Sequence, residues 1–205
     1  MNEHPAHIAV FISGGGTGLQ AFIDAAKAGI LSGKIVLVVS SNGKAFGLQR
    51  AEKEHIETFV FKKKNYPTPE EADRDLLQKL KERQVEYIAL SGYLKLLPSN
   101  VVKAYPRRIV NIHPALLPKY GGKGMYGHFV HEAVLAAGDK ESGVTIHLAD
   151  EIYDNGRILE QVRVPVLEDD TPESLAARVL EQEHKLYPRV LEKLIKGKYE
   201  LNNDK

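Results

Sequence analysis

In Ile109-Val110-Asn111-Ile112-His113-Pro114 a carboxamide and an imidazole stand two residues apart at the end of an apolar run. Read as a strand, the run puts Asn111 and His113 on one face and Val110 and Ile112 on the other. An amide that donates to an oxyanion, beside an imidazole that shuttles a proton, is a pair suited to carbonyl chemistry. Two satisfied core residues are the other reading of the segment taken alone, since an unpartnered buried amide or imidazole costs roughly 1–3 kcal/mol. Pro114 biases His113 toward an extended backbone and stops the strand there, which aims the ring past the strand end. Asp154, in Glu151-Ile152-Tyr153-Asp154-Asn155-Gly156, is by type an ordinary turn residue. Facing the same crevice, its carboxylate would raise the pKa of a nearby histidine. His147 alternates with Ile146 and Leu148 and so lies with Thr145 on the less apolar face of a strand, either as a polar ligand group or half exposed.

A second feature suits an anion. Four glycines fall within residues 14–18, in Ser13-Gly14-Gly15-Gly16-Thr17-Gly18, between an apolar run and a stretch with helical spacing. Such a loop lets backbone N–H groups converge on the positive end of the following helix, and Thr17 can add a hydroxyl. A tight turn without a ligand is the bland alternative. A dinucleotide fingerprint would need glycine where Leu19 stands and a carboxylate after the second strand, where Ser40-Ser41-Asn42 is neutral. No Gly-Lys-Ser/Thr closes the loop, so a nucleoside triphosphate site is disfavoured and a phosphate monoester remains.

These residues need a scaffold, and the apolar pattern supplies one. Strands are expected at 8–12, 35–39, 57–61, 87–90, 109–112, 144–148 and 158–166, with helices at 19–28, 45–54, from the Thr68-Pro69 start to about 83, at 129–137, and from Thr171-Pro172 to Gly197 with a bend at Pro188. The alternation predicts an α/β fold, one doubly wound, mainly parallel sheet with an antiparallel edge at the sixth and seventh strands. Ligands of such sheets gather at the carboxyl ends of strands, here after the first, fourth and fifth. One domain over 1–205 is expected from the length, with frayed ends at 1–6 and 202–205. Net charge of +1 gives no general attraction for nucleic acid or anionic membranes, and zero cysteines remove disulfides, thiolate metal sites and cysteine nucleophiles. With no leader-like start or membrane-length apolar run, a soluble cytoplasmic protein is expected. His128 and His131 share a helix face, but without a third ligand no metal site is expected.

The segments Ser13 through Gln20, Ser91-Gly92-Tyr93-Leu94-Lys95-Leu96-Leu97, and Asn111 through Pro118 resemble those of the phosphoribosylglycinamide (glycinamide ribonucleotide) formyltransferases of purine biosynthesis. Gly143-Val144-Thr145-Ile146-His147, Asp154, Gly156 and Glu181-Gln182-Glu183-His184 follow in that family's order, so the resemblance covers nearly the whole chain. It implies a Rossmann-like formyltransferase fold and transfer of a formyl group from 10-formyltetrahydrofolate, as co-substrate, to the amine of phosphoribosyl glycinamide. It further implies catalytic roles for Asn111, His113 and Asp154, with Asp154 raising the His113 pKa. The substrate phosphate would bind Gly16, Thr17 and Gly18, and Glu183 would meet the glycinamide or its ribose. Folate would meet Leu94, Lys95, Leu96, Leu97, Asn111 and His147. Partners would be these small molecules, with no nucleic acid or membrane, and the chain a monomer or homodimer. The family's usual Asn at position 18 is Gly here, and Lys95 replaces a frequent Arg, which removes a bidentate contact. An Arg common before the third helix is replaced by Pro69-Glu70; Lys62, Lys63 and Lys64 could supply its charge, or be a solvated run. The glycines in residues 119–127 suggest a mobile flap. Related formyltetrahydrofolate hydrolases and methionyl-tRNA formyltransferases carry an added domain for which this length leaves no room, and a non-catalytic phosphate-binding module would have no use for Asn111, His113 and Asp154 together.

Overall fold

The structure, a computed structural model, describes residues 4–201. Seven strands form one sheet in the order β3-β2-β1-β4-β5-β6-β7: β1 His7–Ile12, β2 Lys34–Ser40, β3 Glu57–Val60, β4 Tyr87–Leu90, β5 Ile109–His113, β6 Glu141–Leu148 and β7 Ile158–Pro165. The first five run parallel. The antiparallel part is larger than the sequence pattern implied, because β6 pairs antiparallel with β5 as well as with β7. The connection of residues 114–140 returns the chain to the open edge of β5.

Helices cover both faces. In β1 the residues Ile8, Val10 and Ile12 enter one core while Ala9 and Phe11 enter the other, all fully buried. A strand buried on both sides has no polar face to show, hence its unbroken apolar run. On the first face lie α1 (Thr17–Lys27), α2 (Phe46–Lys53), α5 (His128–Ala136) and α6 (Pro172–Ile195); on the second lie α3 (Pro69–Glu82) and α4 (Ser99–Ala104). The caps act as their residue types dictate. Thr68 Oγ1 accepts from the Glu71 N–H at 3.2 Å, and Thr171 and Ser174 form a reciprocal capping box at the start of α6. Helix α6 continues through Pro188 and stops at Ile195, with Gly197 left-handed at φ +62°. Its Tyr187 hydroxyl reaches the carbonyls of Leu90 (3.0 Å) and Val110 (2.8 Å), fastening the helix across β4 and β5.

Helix α4 and a short 3-10 turn at Lys63–Asn65 were not legible in the sequence, being too short to show a period. The expected fraying at 1–6 is corrected at its inner end, where the Ala6 carbonyl accepts from Lys34 N–H at 2.8 Å; residues 1–3 and 202–205 lie outside the described residues. Among the described residues no helix is long and apolar enough to cross a membrane.

Candidate active site

The ends of three adjacent strands, β1, β4 and β5, carry the three segments with chemical character. After β1, Gly16 serves as the N-cap of α1 in the left-handed region, φ +69°, and offers no side-chain cap. A Cβ there would stand 2.6 Å from the Cα of Gly47 in α2, so two glycines let the first loop and α2 touch. Gly47 N–H donates to Gly14 O at 3.1 Å and Arg50 Nε to Gly15 O at 3.0 Å, fixing the loop from behind. The first intrahelical acceptor of α1 is Gly16 O, taken by Gln20 N–H at 3.0 Å. The N–H groups of Thr17, Gly18 and Leu19 precede it and point outward at the positive end of the helix. Thr17 is exposed beside them.

After β5, the geometry brings Asn111, His113, His147 and Asp154 together. The Asn111 amide donates to Asp154 Oδ1 at 3.2 Å and lies 3.1 Å from His147 Nε2. His147 Nδ1 is 2.8 Å from its neighbour's carbonyl, Leu148 O, so the neutral ring carries its proton on Nδ1 and accepts the second Asn111 hydrogen at Nε2. His113 Nε2 is 2.7 Å from Tyr120 O and its Nδ1 is 3.5 Å from Asp154 Oδ2. Asp154 also accepts the Gly122 N–H at 3.0 Å. The half-exposed alternative for His147 is corrected: it is 1% exposed, because Asn111 and the β6 backbone satisfy both ring nitrogens inside the sheet.

Asp154 reaches this cluster from a loop more than 40 residues downstream through two local features. Its own backbone is left-handed, φ +54°, a conformation aspartate tolerates. Two residues on, Gly156 passes so close to β6 that a Cβ would stand 1.8 Å from Leu148 O. The turn therefore folds back tightly on the strand and swings the carboxylate over β5. The segment following His113 is held by Thr145, whose hydroxyl donates to Ala115 O (2.6 Å) and accepts from Leu117 N–H (3.0 Å) and Gln161 Nε2 (2.8 Å).

Electrostatics set the resting charges. Burial pushes the His113 pKa below its ordinary value; Asp154 and the Tyr120 carbonyl pull it upward but do not overcome burial. The expected elevation of this pKa is thus corrected: the influence of Asp154 has the expected sign, yet the net direction is down. For Asp154, burial pushes up, while the His113 charge and the Gly122 N–H pull down, and the net direction is below the usual carboxyl range. An imidazolium at His113 would meet acceptors at both nitrogens, whereas the neutral ring leaves Nδ1 facing the carboxylate. The site is therefore built to accept a proton as charge develops nearby.

Asn111, His147 and Asp154 face a small cavity of about 40 Å³, closed on the β4 side by Leu90, Tyr93, Lys95, Leu96 and Leu97, and on the other by Ala149, Asp150, Ile152 and Tyr153. Of the expected folate segment, Lys95, Leu96 and Leu97 reach this cavity; Leu94 and Leu96 are half exposed, and Leu97 is buried in the second core. Leu94 instead donates its N–H to Ser13 Oγ at 3.0 Å, tying this segment to the phosphate-type loop. Tyr93 belonged to the segment singled out in the sequence without a role of its own; Ile152 and Tyr153 were missed, along with the backbone groups of Tyr120 and Gly122. Exposed Ile152 (64%) is the one signal a pattern search could have used, as an apolar residue in an otherwise polar turn.

Residues 119–124 close over His113. Lys119 Nζ and the Tyr120 hydroxyl both bind Asp139 (3.0 and 2.9 Å), and Tyr120 is left-handed at φ +58°, which directs its carbonyl at the imidazole. Beneath this loop His113 is only 3% exposed. Glu183, on α6 one turn before Tyr187, has its carboxyl pushed up to about 7 by burial. Of the lysine run, Lys63 pairs with Asp73 at 2.6 Å. His128 turns outward to Glu132 at 3.0 Å while His131 is buried, so the two do not converge, and among the described residues no group of three metal-type ligands forms.

A doubly wound sheet with an anion loop after β1 and an Asn–His–Asp cluster after β5 defines a class, and residues 6–191 match the formyl transferase family; the chain belongs to it. It is similar in particular to proteins named phosphoribosylglycinamide formyltransferase. A chloroplastic one from Vigna unguiculata is 46% identical over 91% of this chain, and one from Haemophilus influenzae 39% identical over 96%. The chain spans 60% of the plant protein and 91% of the bacterial one. The crystal structure of glycinamide ribonucleotide transformylase 1 from Symbiobacterium toebii superposes with a TM-score of 0.88 at 35% identity, covering 96% of this chain and 90% of that one.

Proposed function

We propose that this protein transfers the formyl group of 10-formyltetrahydrofolate to the primary amine of phosphoribosyl glycinamide, releasing N-formyl glycinamide ribonucleotide and tetrahydrofolate. The observation that carries the reading is the convergence of Asn111, His113 and Asp154 at the strand end two positions from the anion loop. The family relatives named for this activity support it. In the reaction the amine nitrogen attacks the formyl carbon, a tetrahedral oxyanion forms, the carbon–nitrogen bond to folate breaks, and the proton lost by the amine reaches the departing folate nitrogen.

Asn111 and His113 stabilise the oxyanion. In the state described, Asn111 gives its hydrogens to Asp154 and His147, so the formyl oxygen competes with His147 Nε2 for one of them. His113 gives its Nε2 to Tyr120 O, so the productive state requires that carbonyl to withdraw. His113 carries the proton, through water, between the two nitrogens, and Asp154 stabilises its charged form. Gly16, Thr17 and Gly18 hold the substrate phosphate, Glu183 meets the glycinamide or its ribose, and Leu94–97 with His147 receive the folate. No metal takes part in these steps. The same proposal places one catalytic domain in the cytoplasm; what supports the location is the cysteine-free composition.

The test is an assay of folate deformylation with and without the amine substrate. The reading expects turnover that depends strictly on the amine and is lost by orders of magnitude in His113→Ala. Amine-independent turnover would make the chain a hydrolase, and phosphate binding without turnover would make it a binding module.

A further inference from the structure

Ser91, the residue immediately after β4, has a side chain with no structural task. Its backbone N–H donates to Phe11 O at 2.8 Å, which fixes it beside the end of β1. The residue is 9% exposed; its hydroxyl, bonded to no described residue, is not among the sealed polar atoms and so keeps an opening to solvent. A hydroxyl that the chain leaves unbonded beside an opening can donate to a ligand without first giving up an internal partner. Such a group is retained where something outside the chain completes it.

Its position says what that is. A Cβ built on Gly18, the second residue of α1, would stand 2.1 Å from Ser91 Oγ and 3.5 Å from Ser91 Cβ. The Cα–Cβ bond in a helix tilts toward the helix N-terminus, so the hydroxyl occupies the flank of the first turn on the side where the Thr17, Gly18 and Leu19 N–H groups stand open. The resemblance assigned Ser91 to the folate segment, whereas the geometry sets its hydroxyl against the other loop.

We propose that Ser91 is a substrate-binding residue: its hydroxyl donates to the phosphate held by residues 14–18, in the place of the side chain that Gly18 lacks. The inference rests on the reading of that loop as a phosphate site. Gly18 is then glycine because Ser91 needs the space. A methyl group at position 18 evicts the hydroxyl from its place, while with alanine at 91 the same methyl meets only a Cβ at ordinary contact distance.

Equilibrium binding of ribose 5-phosphate, followed by calorimetry, tests this with four proteins: the unaltered chain, Ser91→Ala, Gly18→Ala and the double variant, each checked by circular dichroism. One hydrogen bond to a charged group corresponds to a rise in Kd of about ten- to a hundredfold in Ser91→Ala. Gly18→Ala is expected to give a similar rise, and the double variant no further loss. A Kd for Ser91→Ala within twofold of the unaltered chain overturns the proposal, as do losses that add in the double variant. If the unaltered chain itself fails to bind ribose 5-phosphate, the phosphate reading of the loop falls, and the role of Ser91 with it.

Discussion

Replacing Asp154 by Asn keeps the shape of the side chain and removes one charge 3.5 Å from His113 Nδ1. At an effective dielectric constant near 20, a unit charge at that distance is worth about 5 kcal/mol, or about 3.5 pH units. That is a ceiling, because His147 shares the carboxylate at 3.6 Å and the Asn111 amide bonds it as well. The sign is downward: burial already depresses the His113 pKa, Asp154 is the main influence opposing it, and removing that influence leaves burial unchecked. With the imidazolium scarcer at neutral pH, turnover there drops by about 10²-fold or more. The limb of the pH profile on which rate declines with rising pH moves to more acid values. Imidazole 15N shifts of the free enzyme, followed from acid to alkaline pH in both proteins, measure the His113 titration directly. A pKa that stays in place or rises in Asp154→Asn would refute the assigned role even if activity were lost.

Gly156→Ala forces a Cβ to within 1.8 Å of a backbone oxygen that cannot swing away. A destabilisation of about 2–4 kcal/mol in urea unfolding is expected, with kcat/KM down tenfold or more as Asp154 shifts. Glu183 has its carboxyl raised to about 7 by burial, so the folded state favours the neutral form and loses stability as pH rises from about 4.5 through 7. Glu183→Gln should therefore be more stable to urea unfolding above pH ~8, by up to about 3 kcal/mol, while binding the glycinamide substrate more weakly. Asp170 receives both Arg178 nitrogens at 2.7 Å, the Ser174 hydroxyl at 2.6 Å and the Leu167 N–H at 2.8 Å. Arg178 first, then Ser174 and the Leu167 N–H, hold its carboxyl well below the usual range. Its contribution is present above the unfolded carboxylate value near 4 and is lost as pH falls below it, so Asp170→Asn should cost about 2–3 kcal/mol at pH ~7 and less at pH ~2.

Much of the scaffold is written locally. Runs such as residues 8–12 and 87–90 are apolar because both sheet faces are covered, and the Thr68-Pro69 and Thr171-Pro172 starts carry their caps within four residues. Alternation put Asn111 with His113 in β5 and His147 with Thr145 in β6; the antiparallel pairing of Asn111 with His147 then joins the two sets on one face. What the sequence withheld is long-range. That Asp154 meets His113 depends on Gly156 fitting under Leu148 O, and that the imidazole is sealed depends on the handedness of Tyr120, neither of which has a period or a motif. The sign of the Asp154 influence on His113 was legible from residue types, but the burial that outweighs it comes only from the assembled loop. Ser91 was legible as part of a segment and not as a neighbour of Gly18, since the contact joins two strand ends more than 70 residues apart.

Carbon-13 placed in the formyl group of 10-formyltetrahydrofolate and followed by NMR tests the central claim most directly. With phosphoribosyl glycinamide present, the label should pass to the glycinamide nitrogen as a formamide, one equivalent for each tetrahydrofolate released, and should stay on folate when the amine is left out. Label accumulating as free formate, or an unlabelled glycinamide after folate has been consumed, would contradict the account.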